Sequence, residues 1–154
     1  MADYQIVPAT PAHVAALLPH VRQADIDEFM AASGQTPAQV LRLGLATATQ
    51  AWAGLADGEV ACVFGVSPTS LVCGSGAPWL AGSALIDKHA RAFIRLNREF
   101  LPEMLAGYRH LENYVDARNT QAIRWLRWLG FTIHDAVPYG VARLPFHRFD
   151  MWRE

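Results

Sequence analysis

Asp25 and Glu28 stand three residues apart in Ala24-Asp-Ile-Asp-Glu28, a spacing that places two carboxyl groups on one side of a helical turn. Such a pair takes up a proton as a general base or binds an amine. Acids early in a helix also favour its dipole with no ligand present. Lys88, Arg91, Arg95 and Arg98 cluster on one face of a second periodic stretch, as cations that suit phosphates or as a solvated helix face. Asn119 opens a third stretch, where an N-cap satisfies orphan backbone donors whether or not a ligand binds. The six histidines are scattered without a second ligand at metal spacing, and Gly74-Ser75-Gly76 is too short for a nucleophile elbow. Neither a metal site nor serine hydrolysis is expected. Cys62 and Cys73 lack C-x-x-C spacing and read as buried thiols in a reducing compartment.

The elements that must position these residues follow from periodicity and punctuation. Tyr4–Val7 reads as a first strand, and Thr10-Pro11 opens a helix carrying Val14, Leu17, Leu18 and Val21 on one face. Asp25–Ala32 forms a second helix ending at Ser33-Gly34, and Thr36-Pro37 opens a third. Ala51–Ala56 and Val60–Val66 make a hairpin around Asp57-Gly58, a dipeptide that tolerates positive φ. Ser67–Ala77 reads as a Ser/Pro/Gly-rich loop before a short fourth strand, Pro78–Ser83. Asp87 to about Gly107 is a long helix, with Ala90, Phe93, Ile94, Phe100, Leu101, Met104 and Leu105 on its apolar face and a kink or split expected at Pro102. Leu111–Ala117 is a strand, Asn119 caps a helix ending at Gly130, and Thr132–Val137 and Val141–Met151 close the chain around a turn at Pro138–Gly140. Trp125 and Trp128 are expected in the core or on an aromatic contact surface.

At 154 residues, 52% hydrophobic and 18% charged, the chain reads as one domain, residues 1–154, with a packed core and enough apolar surface for self-association as a homodimer. A formal net charge of −1 gives no field toward nucleic acid or an anionic membrane. Thirteen basic residues include a single lysine, Lys88, a skew that GC-rich codon usage also produces. No apolar run approaches the roughly 20 residues of a membrane span, and the start has no leader pattern, so a cytoplasmic protein is expected.

Asn119-Thr-Gln-Ala122-Ile-Arg-Trp-Leu-Arg-Trp-Leu-Gly130-Phe131, directly after Val115-Asp116-Ala117, resembles the strand-helix-Gly-Phe signature of GNAT acyltransferases, and the order of elements matches. A closer likeness is to the small internal virion proteins of T7-like podophages and their prophage relatives. It is carried by Gly65–Ser83 with Pro78-Trp79-Leu80, by the helix from His89 through Phe93 to Met104, and by Leu111–Val115 running into Asn119–Phe131. Arg22–Glu28 is similar to that family's early helical motif.

The resemblance implies an α+β, GNAT-like fold: a mixed twisted sheet, helices on both faces, and strands splayed at the fourth and fifth positions. It implies acetyl-CoA or CoA as cosubstrate and an amine acceptor. Trp79, Leu80, Ala81, Gly82 and Ser83 would pair with the pantetheine arm and supply an oxyanion N–H, beside Asn119. Two departures stand out. The stretch Gly82–His89 lacks the phosphate-binding glycine pair, leaving Lys88 and Arg91 as side-chain substitutes beside an unfavourable Asp87. The usual tyrosine acid, seven residues after the motif asparagine, is Leu126. Tyr139, His134, Tyr114 and His110 are the stand-ins, with Tyr139 as acid and Glu28 as base. The alternative is a non-catalytic virion or virion-assembly protein whose partners are phage virion proteins, cytoplasmic in the host or packaged in a particle.

Overall fold

Caps and turns set the element boundaries in the computed structural model, which describes residues Met1–Glu154. After β1 (Tyr4–Pro8), Thr10 accepts from the His13 N–H at 3.3 Å while its own N–H donates to His13 Nδ1 at 3.1 Å, opening α1 (Pro11–Leu17). Thr36 and Gln39 repeat this reciprocal cap at α3 (Pro37–Thr47). Between them α2 (Gln23–Ser33) stops at Gly34 in the left-handed region. Asp57 and Gly58 both adopt positive φ and join β2 (Gln50–Ala56) to β3 (Glu59–Ser70). β4 (Ser75–Gly82), α4 (Ala84–Lys88), α5 (Ala90–Gly107), β5 (His110–Asp116), α6 (Thr120–Leu129), β6 (Thr132–Tyr139) and β7 (Leu144–Trp152) complete the chain.

The strands form one seven-stranded sheet in the order β1-β2-β3-β4-β5-β7-β6, antiparallel except for β4 beside β5. One face carries α1 and α3 over Ala53, Val63 and Ala81; the other carries α5 and α6 over Phe64, Val66, Leu111 and Phe149. This is the α+β architecture with helices on both faces. No helix is long and apolar enough to cross a membrane.

Four details differ from the sequence reading. β3 and β4 continue through Ser67–Ser70 and Ser75–Ala77, because the ladder propagates past Val66 and a bulge at Pro68 accommodates the residue without an N–H. The long helix passes through Pro102, whose ring is on the exposed side where curvature is tolerated, and breaks at His89 instead. There His89 Nδ1 lies 2.6 Å from the Tyr4 hydroxyl. The last turn spans Gly140–Arg143, not Pro138–Gly140, because positive φ falls at Gly140 and Arg143. Cys62 is buried, with its thiol pushed up to about 12, but Cys73 is exposed in the turn at the β3–β4 tip.

Two contacts fix the elements around the opening between β4 and β5. The Trp79 ring lies between α3 and β3 at glycines: a Cβ on Gly44 would sit 3.1 Å from it and one on Gly65 2.8 Å. The β6–β7 turn docks on the end of α2, where Val141 and Ala142 N–H donate to the Ala32 and Ala31 carbonyls at 3.1 and 3.2 Å.

Candidate active site

The ladder between β4 and β5 closes after two residue pairs, Ser75 with His110 and Gly76 with Leu111. Beyond them the strands diverge, and the β4 backbone groups along the gap need other partners. Pairing with β3 decides which groups these are. Ser83 N–H donates to Ala61 O on β3, whereas Val66, opposite Pro78, turns its carbonyl away from β4 to Thr49 N–H. Direction alternates along a strand, so Trp79 and Ala81 face β3 while Pro78, Leu80 and Gly82 face the gap. Gly82 N–H donates to Asp25 Oδ2 at 3.0 Å, and its carbonyl accepts from Arg22 N–H at 2.9 Å. The Pro78 carbonyl accepts from Asn113 Nδ2 at 2.9 Å. Leu80 keeps its N–H and carbonyl turned into the gap with no partner in the chain.

Asp25 and Glu28 project from α2 toward the same opening. Arg22 forks onto Asp25 at 2.9 and 3.1 Å and reaches Asp87 at 2.8 Å, so Asp87 is an ion-pair partner of Arg22. Burial pushes the Asp25 carboxyl above its ordinary value, opposed by the Arg22 charge and the Gly82 N–H. Glu28 has no cation partner. Burial pushes it up to about 7; the Asp116 N–H, 2.8 Å from Oε1, opposes the rise and the Asp25 charge adds to it. A carboxyl near neutrality is poised to take a proton at physiological pH. Asn119 caps α6 through Oδ1, which accepts from the Ala122 N–H at 3.4 Å, and its Nδ2 faces Asp25 at 3.3 Å and Glu28 at 3.5 Å.

A cavity of about 290 Å³ runs through the gap. Asp25, Glu28 and Phe29 line it from α2, Trp79 and Leu80 from β4, and Leu101, Trp125 and Leu126 from the opposite face. Trp125, buried, is one of its walls; Trp128 is 55% exposed on the outer side of α6. Tyr139 closes the α2 side, stacked on Tyr114 with ring centroids 3.9 Å apart. Burial and the neighbouring Tyr114 raise the Tyr139 phenol further, keeping it a proton donor.

Of the residues singled out from the sequence, Glu28, Tyr139, Trp79, Leu80 and Asn119 all line this cavity. Ala81 is buried against the α1/α3 face, Gly82 is spent on Asp25 and Arg22, and Ser83 caps α4 by accepting from the Leu85 N–H at 3.2 Å. Lys88 ends α4 and Arg91 lies in the first turn of α5, so the two stand on separate helices and not on one continuous face; both are exposed and neither lines the cavity. His110 and His134 lie elsewhere, each with Nε2 2.7 Å from Asp150. His110, Glu112 and Asp150 bring ligand atoms within 4.8 Å of one another, but the Arg148 guanidinium lies 3.4 Å from Glu112 and 3.3 Å from Asp150, a cation where a metal would sit.

Arg22, Asn113 and Asn97 also line the cavity, and the sequence reading assigned none of them a role in the site. Only Asn97 left a signal, as a polar residue within the apolar stripe of α5. It is 6% exposed, and neither its Oδ1 nor its Nδ2 has a partner in the chain.

Comparison with solved structures shows the GNAT acetyltransferase fold. A ribosomal-protein-alanine N-acetyltransferase from Brucella melitensis superposes with a TM-score of 0.70 at 18% identity, over 97% of this chain and 99% of that one. A GCN5-related N-acetyltransferase from Kribbella flavida gives 0.69 at 16% identity, over 97% and 98%. The spermidine N-acetyltransferase from Vibrio cholerae, solved with CoA and spermine, gives 0.68 at 9% identity, over 97% and 95%. Residues 79–137 match the family described as bacteriophage T7, probable scaffold protein Gp13. No curated protein matches the chain.

Proposed function

We propose that the chain is an acyl-CoA-dependent N-acyltransferase, with the amine acceptor on the α2 side of the cavity and the acyl thioester threaded between β4 and β5. The observation that carries this reading is Glu28, a carboxyl near neutrality on the wall of a cavity that passes the unpaired Leu80 backbone. The residues fit a pantetheine arm: the passage is largely apolar, its one cation, Arg22, is spent on Asp25 and Asp87, and one strand edge is free to pair. Glu28 takes the proton as the amine nitrogen bonds to the thioester carbon. The carbonyl electrons move to oxygen, where the Leu80 N–H holds the oxyanion. Collapse breaks the C–S bond, the Tyr139 phenol protonates the departing sulfur, and the products are an amide and free CoA. Lys88 and Arg91, outside the cavity, serve the phosphates in place of the missing glycine loop. The structural likeness to an acetyltransferase solved with CoA and spermine supports this assignment.

The test is calorimetric titration with acetyl-CoA and CoA, followed by thiol release with a panel of amines. Micromolar binding is expected, with Glu28→Gln lowering kcat/KM at least about 100-fold while leaving CoA affinity unchanged. An unaltered rate in Glu28→Gln would remove the base from this mechanism, and absence of binding at millimolar ligand would remove the enzyme. A specific observation favours a second reading: the match over residues 79–137 to a phage scaffold family supports a non-catalytic virion or virion-assembly protein that keeps the fold. Detection of the protein in purified phage particles tests it.

A further inference from the structure

We infer that Asn97 is a ligand-binding residue whose side-chain amide pairs with a secondary amide of the molecule in the cavity. The inference rests on the acyl-thioester reading above, since a pantetheine arm carries two such amides. The buried face of α5 consists of Phe93, Asn97, Leu101 and Met104, so a polar side chain occupies one of four core positions. Asn97 is 94% removed from solvent by its 6% exposure, and both its amide atoms are orphaned.

An orphaned amide in an apolar wall is a penalty that a leucine of similar size would not incur. Asn97 also lines the cavity, among Phe64, Ile86, Leu101, Met104 and Trp125. The cavity therefore abuts the Asn97 side chain, whose amide atoms are closed to bulk solvent. Its chemistry selects the partner. Asn97 presents an acceptor oxygen beside a donor nitrogen, the complement of one N–H and one C=O from a secondary amide. A phosphate or carboxylate fits poorly, because Arg22, the cavity's one cation, is held by Asp25 and Asp87. A purely apolar chain would leave the penalty in place.

The test compares wild type, Asn97→Leu and Asn97→Ser by calorimetry with CoA and with pantetheine, which lacks the nucleotide. Asn97→Leu is expected to raise the apo melting temperature and to weaken both ligands about tenfold, with the thermal gain separating a lost ligand contact from a damaged fold. Equal affinity of Asn97→Leu and wild type for CoA overturns the inference and points to a resident water on the amide. Failure of wild type to bind either compound overturns the thioester reading and this inference with it. Should Asn97→Leu not fold, the side-chain amide resonances of Asn97, identified by their loss in Asn97→Ser, must shift when wild type is titrated with pantetheine. Unmoved resonances overturn the inference.

Discussion

Glu28 is where stability and chemistry ask for opposite charge states. Its carboxyl titrates at about 7 in the folded chain against an ordinary value of 4.5, so the folded state binds this proton more tightly than the unfolded state. The contribution to stability is full below pH 4.5 and is lost as pH rises through 7, yet general-base catalysis needs the ionised form. Thermal or urea unfolding at pH 5 and pH 8 should show wild type losing on the order of 2 kcal/mol more than Glu28→Gln across that window. The kcat/KM profile should rise along the same limb, with a midpoint near 7. A flat stability difference between the two proteins would mean that Glu28 is solvated and ordinary. Asp25 and Glu28 were legible in the sequence because their three-residue spacing is local. The Asp116 N–H and the Asn119 amide that shape Glu28 come from 88 and 91 positions away, beyond any spacing rule.

At the scale of elements, the carboxylates and Tyr139 keep their relation because the β6–β7 turn is hydrogen-bonded to the end of α2. Gly140 makes that approach feasible. It holds φ +76°, and a Cβ there would meet the Ala31 carbonyl at 2.7 Å. Gly140→Ala should cost about 2–4 kcal/mol in chemical denaturation and lower activity more than CoA affinity, since it displaces Tyr139 and the acceptor side and leaves the β4–β5 gap in place. Equal stability to wild type would show the turn to be loosely docked. Capped helices and the Asp57-Gly58 hairpin were readable because their signals are single residues with fixed backbone demands. The Ser67–Ala77 ladder was not, because its composition is that of a loop and only the partner strand makes it a strand. Likewise Pro102 is tolerated because of which side of α5 meets water, a tertiary fact.

For the whole molecule, the order of elements and the Asn119–Phe131 segment sufficed to anticipate a fold seen in acetyltransferases sharing 9–18% identity with this chain. Where the cleft lies was readable, but not which backbone groups remain free in it, which depends on strand register. CoA at a hundredfold excess over its dissociation constant should add about 2.7 kcal/mol by mass action, raising the melting temperature by roughly 5–10 °C. An unchanged melting curve would favour the assembly reading. The short β4–β5 ladder also bears on how the molecule carries load. The amino end of the chain enters through β1 and the carboxyl end leaves from β7, on opposite sides of a junction whose strand ladder is two residue pairs long. The β6–β7 turn on α2 and the Asp116–Glu28 and Asn113–Pro78 hydrogen bonds supply the rest of the tie. A pull between the termini is therefore expected to load the turn and side-chain contacts across that seam, because its own ladder is the shortest in the sheet.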